Sequence, residues 1–238
     1  MSRTHWRPLN SGAGALVLAV HFDPGTGEPG FADLAANLGG VRLFETVPPR
    51  LAGDILDRSE PVSYVGPWLA ELDELRPPVR AVLGYCAGAS LAGVLAAEVA
   101  RAGLGEPPLL VFAPQRVNAA TLATEFVSAT DRLSAQLTAE ELAAARRAAA
   151  EVRGADRSTE YLAAMASALE GAYRTAVRAA THRLGVAPAA QRQLGDRFAT
   201  YLAYLVACAR ADTADAPCPE VLNHPPGGVT ERVAALLT

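Results

Sequence analysis

The chain has 238 residues, enough for one sizeable domain with a well-buried core and short for two. Hydrophobic residues make up 50% of it and the formal net charge is only −4, a balance that argues against a disordered chain and against a nucleic-acid binder. Every basic side chain is Arg, so a Schiff-base lysine and a phosphate-loop lysine are both excluded.

In chain order, "MSRTHWRPLNSGAG" reads as a polar, solvated lead-in carrying His5, with no apolar core of signal-peptide length. No apolar run approaches the roughly 20 residues that a membrane span requires. "GALVLAVHF" (14–22) is a continuous apolar run, the signature of a strand buried on both faces of a parallel sheet, and it ends in the Gly- and Pro-rich turn "DPGTGEPG". "FADLAANLGG" has helical spacing, and "VRLFETV" is a second strand. Segment 62–75 then places Val62, Val65, Leu69, Leu72 and Leu75 on one helical face. "VRAVLGY" is the third strand, followed by a helix opening at Ala87; "PPLLVFAP" (107–114) is the fourth. Alternating strands and helices predict an α/β fold with a mainly parallel sheet.

From Asn118 to about Ala211 almost every residue is a helix former, with breaks near Gly154–Ser158 and Gly185–Pro188. The chain then returns to "PEVLNHPPGGVTERVAALL", a short strand, a turn and an amphipathic helix. That return favours a core of residues 1–117 and 212–238 with a helical insertion at 118–211, over the rival description of a separate helical domain. Cys86, Cys208 and Cys218 make neither a disulfide framework nor a Cys-x-x-Cys pair, and with four His the expectation is no metal site. A cytoplasmic location with reduced thiols follows.

"LGYCAGAS" carries the chemistry. Gly-x-Cys-x-Gly between a buried strand and a helix is the spacing of a nucleophile elbow, a tight turn where Gly84 and Gly88 let strand and helix approach. Cys86 would stand at a helix N-terminus, which favours the thiolate, with the N–H of Ala87 placed for a developing oxyanion. The bland reading of Cys86 is a small buried hydrophobe. Of the four histidines, His5 reads as solvated, His182 as surface, and His21 as either a shaper of the first loop or a satisfied core residue. His224 lies late in the chain on a loop after a strand, where α/β enzymes place catalytic groups.

"GYCAGASLAGVLAAEVA", "VHFDPGTGEPGFADLAANL" and "NHPPGGVTERVAALL" together resemble the α/β-hydrolase thioesterases of nonribosomal peptide and polyketide assembly lines. The resemblance covers most of the sheet-forming parts; the helical block occupies the place of the family's lid. It implies Cys86 as nucleophile, His224 as base, and an acyl or peptidyl carrier protein as partner, with the acyl group on that partner's phosphopantetheine arm and no resident cofactor. Three departures stand out. The family's elbow residue is mostly Ser; Cys makes the intermediate a second thioester and so favours handing the acyl group on. The family's acid position falls at Ala113, leaving Asp212 and Asp215 as replacements, with Asp215 carried forward. Pro24 stands where the first loop should offer an oxyanion N–H, so Gly25 is the candidate. Acyl transfer, hydrolytic release or editing, and a retired hydrolase kept as a binding module all remain open. The Arg-bearing face of "RSTEYLAAMASALEGAYRTAVRAATHRL" reads as a docking face for an acidic carrier protein or as a solvated helix face.

Overall fold

The computed structural model describes residues 5–23, 30–73, 78–151, 158–211, 220–222, 226 and 230–237. In chain order the elements are β1 (Trp6–Pro8), β2 (Ala15–Val20), α1 (Ala32–Asn37), β3 (Val41–Thr46), α2 (Pro61–Asp73), β4 (Val79–Tyr85), α3 (Gly88–Arg101) and β5 (Leu109–Phe112). Four helices follow, α4 (Ala119–Asp131), α5 (Ala139–Glu151), α6 (Thr159–Arg183) and α7 (Pro188–Ala211), and then β6 (Glu220–Leu222) and α8 (Thr230–Leu237). Among the described residues no helix is long and apolar enough to cross a membrane.

The chain divides into two compact units. The first comprises Met1–Arg50, Glu60–Arg116 and Arg210–Thr238, and holds a six-stranded sheet in the order β1-β3-β2-β4-β5-β6. Only β1 runs antiparallel, against β3; the other pairings are parallel. The architecture is that of an α/β hydrolase. β2 is apolar along its length because it is buried on both faces, as a central parallel strand must be. Its side chains alternate between layers. Val17 and Ala19 join Phe31, Leu34, Leu43, Leu83, Leu110 and Phe112, with Val233 of α8, in one core. The opposite layer is covered by α3, which packs on β2, β4 and β5 and is itself met by α2. Consecutive strands step outward from β2 in both directions, so the strand order reverses between β2 and β4. In open α/β sheets the crevice beyond the carboxyl ends at such a reversal is where ligands bind.

Two expectations give way. The lead-in is not a solvated coil: Trp6 is 2% exposed, and its indole N–H donates to the Trp68 carbonyl at 2.9 Å. The Trp68 indole in turn donates to the carbonyl of Val47 at 3.0 Å, so each buried ring places its polar edge. His5, expected to be solvated, is partly buried, with Nδ1 2.8 Å from Glu71 Oε1. The buried stripe of α2 is Tyr64, Val65, Trp68 and Leu72, whereas Val62 is 66% exposed. Two aromatic rings rotate the helix away from the purely aliphatic face that its spacing suggested. Leu75 lies outside the described residues.

The second unit comprises Leu51–Ser59 and Val117–Ala209. Its helices begin where local chemistry says they should. Asn118 and Thr121 form a reciprocal capping box at α4, and Ser158 accepts from the Tyr161 N–H at α6. The core of this unit includes Phe126, Leu162, Leu169, Val177 and Leu202, with the Tyr173 and Phe198 rings 4.2 Å apart. Arginines tie helix to helix: Arg174 reaches Glu170 and Asp196, and Arg183 reaches Glu141.

Candidate functional site

Cys86 follows the last residue of β4 and precedes Ala87, the cap of α3. Its φ is +53°, in the left-handed region that a residue with a Cβ adopts only when its surroundings hold it there. Three backbone hydrogen bonds do so. Cys86 N–H donates to the Phe112 carbonyl at 3.0 Å, and the Cys86 carbonyl accepts from the N–H groups of Ala89 and Gln115, each at 3.3 Å. Gly84 supplies the close approach: a Cβ there would lie 2.6 Å from Ala89 Cα and 2.8 Å from Ala92 Cβ. The half-buried thiol therefore stands at the amino end of a 14-residue helix that no side chain caps and whose first turn carries no acidic residue. There the backbone dipoles favour the thiolate. Ala87 is 6% exposed, with helical angles of φ −61° and ψ −30°.

The thiol has a neighbour that the sequence reading passed over. Cys86 Sγ–H donates to Gln115 Oε1 at 2.9 Å. Gln115 lies three residues beyond β5, in a stretch read only for its missing acid, and neither periodicity nor a motif marks it. Ala113, the position where that acid was sought, has φ +41° and donates its N–H to the Leu222 carbonyl at 2.9 Å.

A second polar cluster occupies the carboxyl ends of β2 and β3. His21 is 6% exposed, with Nδ1 3.3 Å from Glu45 Oε1, and Glu45 also pairs with Arg7 of β1. Burial pushes the Glu45 carboxyl up, but the hydrogen bonds from His21 and Arg7 outweigh it and hold the group below its ordinary value. Thr46 Oγ1 bridges to the backbone N–H and carbonyl of His21, each at 3.4 Å. The imidazole sits 5.3 Å from the Tyr85 ring, centroid to centroid, beside Phe31. Gly30 allows this, because a Cβ there would lie 2.8 Å from His21 Nδ1. The detectable signal was Glu45 itself, a carboxylate inside an otherwise buried strand, but its partner becomes visible only with the β2–β3 register that sets Ala19 opposite Glu45.

Cys86 and Ala87 thus stand together at the turn into α3. Gly25, Asp215 and His224 lie outside the described residues, as do Pro24 and Asp212. His182 is exposed on α6. Among the described residues no group of three or more His, Cys, Asp or Glu side chains could hold a metal ion.

No protein-family model matches the chain, and no curated protein sequence matches it. Solved structures do. Holo-AB3403, a four-domain nonribosomal peptide synthetase bound to AMP and glycine, is similar with a TM-score of 0.54 and 13% identity over 98% of this chain and 20% of that one. The chain therefore spans one fifth of that protein's length. The thioesterase RedJ, from the prodiginine biosynthetic pathway in Streptomyces coelicolor, is similar with a TM-score of 0.44 and 18% identity, over 87% of this chain and 64% of that one. The Vlm2 thioesterase domain with a bound dodecadepsipeptide gives a TM-score of 0.47 and 15% identity, over 99% and 97%. At 13% identity the first of these likenesses speaks to the fold alone.

Proposed function

We propose that this chain is a thioesterase-like enzyme of nonribosomal peptide or polyketide biosynthesis, which draws an acyl group from a carrier-protein thioester onto Cys86 and passes it on. The observation that carries the reading is the elbow: a cysteine in left-handed conformation, between a buried strand and a helix amino end, at the point where the strand order reverses. The reading adds His224 as base. What supports it is that Leu222, two residues earlier in the sequence, ends β6 in register with Phe112, which is in register with Tyr85, the residue before Cys86.

In the first step the Cys86 thiolate attacks the thioester carbonyl and a C–S bond forms. The oxygen takes the negative charge opposite the N–H groups of Ala87 and Gly25. Collapse breaks the bond to the phosphopantetheine sulfur, which leaves with a proton from His224. In the second step the acceptor, an amine, thiol or water, attacks the acyl-Cys86 carbonyl as His224 takes its proton, and collapse breaks the C–S bond, frees the product and returns the Cys86 thiolate. Asp215 orients the imidazole; a Cys–His pair needs such help less than Ser–His does, because the thiol ionises more readily. One thioester replaces another in the first step, so it runs close to isoenergetic and reversible. The chain contains no Lys, so no ε-amine of its own competes for the acyl group. The partner is an acyl or peptidyl carrier protein in the cytoplasm, and its phosphopantetheine arm supplies the only prosthetic group the reaction uses.

The test is intact mass after mixing the protein with an acyl-loaded carrier protein, beside Cys86→Ala and His224→Ala. The expected result is an acyl adduct absent in Cys86→Ala and discharged by added amine or free carrier protein. Fast product acid without an adduct would make the enzyme an editing hydrolase. Neither adduct nor turnover over a range of acyl groups would leave a binding module.

A further inference from the structure

We infer that Gln115 is the positioning residue of the Cys86 sulfur, a neutral amide that serves the thiol and the thiolate in turn. The inference rests on the acyl-Cys86 reading for its catalytic meaning, but its geometry is independent of any substrate. Two hydrogen bonds join the residues. The Gln115 N–H donates to the Cys86 carbonyl at 3.3 Å, fixing the backbone of one on the other, and the Gln115 Oε1 accepts from Sγ–H at 2.9 Å. The loop after β5 is thus tied to the elbow twice, once through each residue's backbone and once through its side chain.

A carboxamide differs from the carboxylate otherwise expected on this loop. It presents an acceptor and a donor on one planar group, related by a half-turn of its terminal torsion. In the resting enzyme Oε1 accepts the S–H. Once the proton leaves, rotation brings Nε2–H to the sulfur, and the hydrogen bond becomes charge-assisted. A carboxylate in the same place would oppose ionisation outright. The loop from Ala113 to Gln115 carries no carboxylate, and α3 brings no acidic residue in its first turn. Among the described residues, the titratable and charged groups on the neighbouring chain ends are Tyr85 at the end of β4, His21 and Asp23 after β2, and Arg116 beside Gln115. Glu45 is engaged by His21 and Arg7.

The experiment is the rate of Cys86 alkylation by iodoacetamide from pH 5 to 10, read on the Cys86 peptide by mass spectrometry. Wild type is compared with Gln115→Glu and Gln115→Leu, and thermal melts confirm that these exposed substitutions leave the fold intact. Gln115→Glu sets a like charge against the thiolate, so the midpoint should move up by about 1–2 pH units and the rate at pH 7 fall about 10- to 100-fold. Gln115→Leu removes acceptor and donor together; the charge-assisted bond to the thiolate is the stronger of the two, so the midpoint should move up by less, about half a unit. Profiles that superimpose on wild type, or a downward shift in Gln115→Leu, would overturn the inference. The assay uses no acyl donor. Shifted profiles without acyl uptake would therefore retire the enzymatic reading and keep the thiol–amide pair, while acyl uptake with unshifted profiles would do the reverse.

Discussion

Replacing Gly84 with Ala tests how tightly the elbow is built. The added Cβ would lie 2.6 Å from Ala89 Cα and 2.8 Å from Ala92 Cβ, against an ordinary contact beginning near 3.4 Å. Strand and helix must therefore separate by about 0.8 Å, and the nearer obstacle is backbone, which no rotamer change relieves. Overpacking of this kind destabilises by about 1–3 kcal/mol. For a chain of this length that lowers the melting temperature by roughly 2–12 °C. The assay is a thermal melt followed by circular dichroism, with Ala92→Gly beside it and combined with it. Ala92→Gly removes only the second obstacle, so the double variant should recover part of the loss and not all of it. The displacement also pulls Ala89 from the Cys86 carbonyl, so Cys86 alkylation should change in the single variant. A melting temperature within 1 °C of wild type, with unchanged alkylation, would refute the account of Gly84 as the packing hinge of the turn.

Three further outcomes follow from the sheet. Glu45→Gln should destabilise by about 1–3 kcal/mol, because a buried carboxylate held by His21 and Arg7 is lost. Its folded-state value lies below the ordinary 4.5, so its contribution is full above that pH and disappears as pH falls through the folded value. Urea melts of wild type and variant should accordingly differ most at neutral pH and converge as pH falls from 4.5 through the folded value. Trp6→Phe leaves the buried Trp68 carbonyl without its indole donor and should cost about 1–3 kcal/mol by the same measurement. Ala113→Gly relieves a left-handed φ of +41° and should stabilise by about 0.5–1 kcal/mol, net of the backbone freedom glycine adds to the unfolded chain.

Much of the sheet could be read from residues alone, because β2, β4 and β5 are short apolar runs whose burial on both faces suppresses any alternation. β1 could not. Three residues containing an Arg and a Pro have no period; they are a strand because they pair antiparallel with β3, anchored where the Trp6 indole meets the Trp68 carbonyl 62 positions away. The same contact explains why the aliphatic spacing of α2 misplaced its buried face. Within the site, Cys86 was legible because a turn of fixed geometry demands small residues at fixed offsets. Glu45 and His21 meet only through strand register, and Gln115 reaches the thiol only because the loop after β5 folds back on the elbow. Such pairings depend on which strands become neighbours, and no local pattern encodes that.

The hydrogen bonds of the sheet do not stop where its strands do. Beyond β4 and β5 the Cys86 N–H still donates to Phe112, the Ala113 N–H to Leu222, and the Gln115 N–H to Cys86. The elbow therefore belongs to the same cooperative unit as the three strands, and the amide protons of Cys86, Ala113 and Gln115 should exchange with solvent only when that unit opens. A cysteine mounted this way is tied to three strands through its own backbone and its neighbours'. Small fluctuations of the sheet should therefore carry the Cys86 backbone along with its strands rather than move it against them.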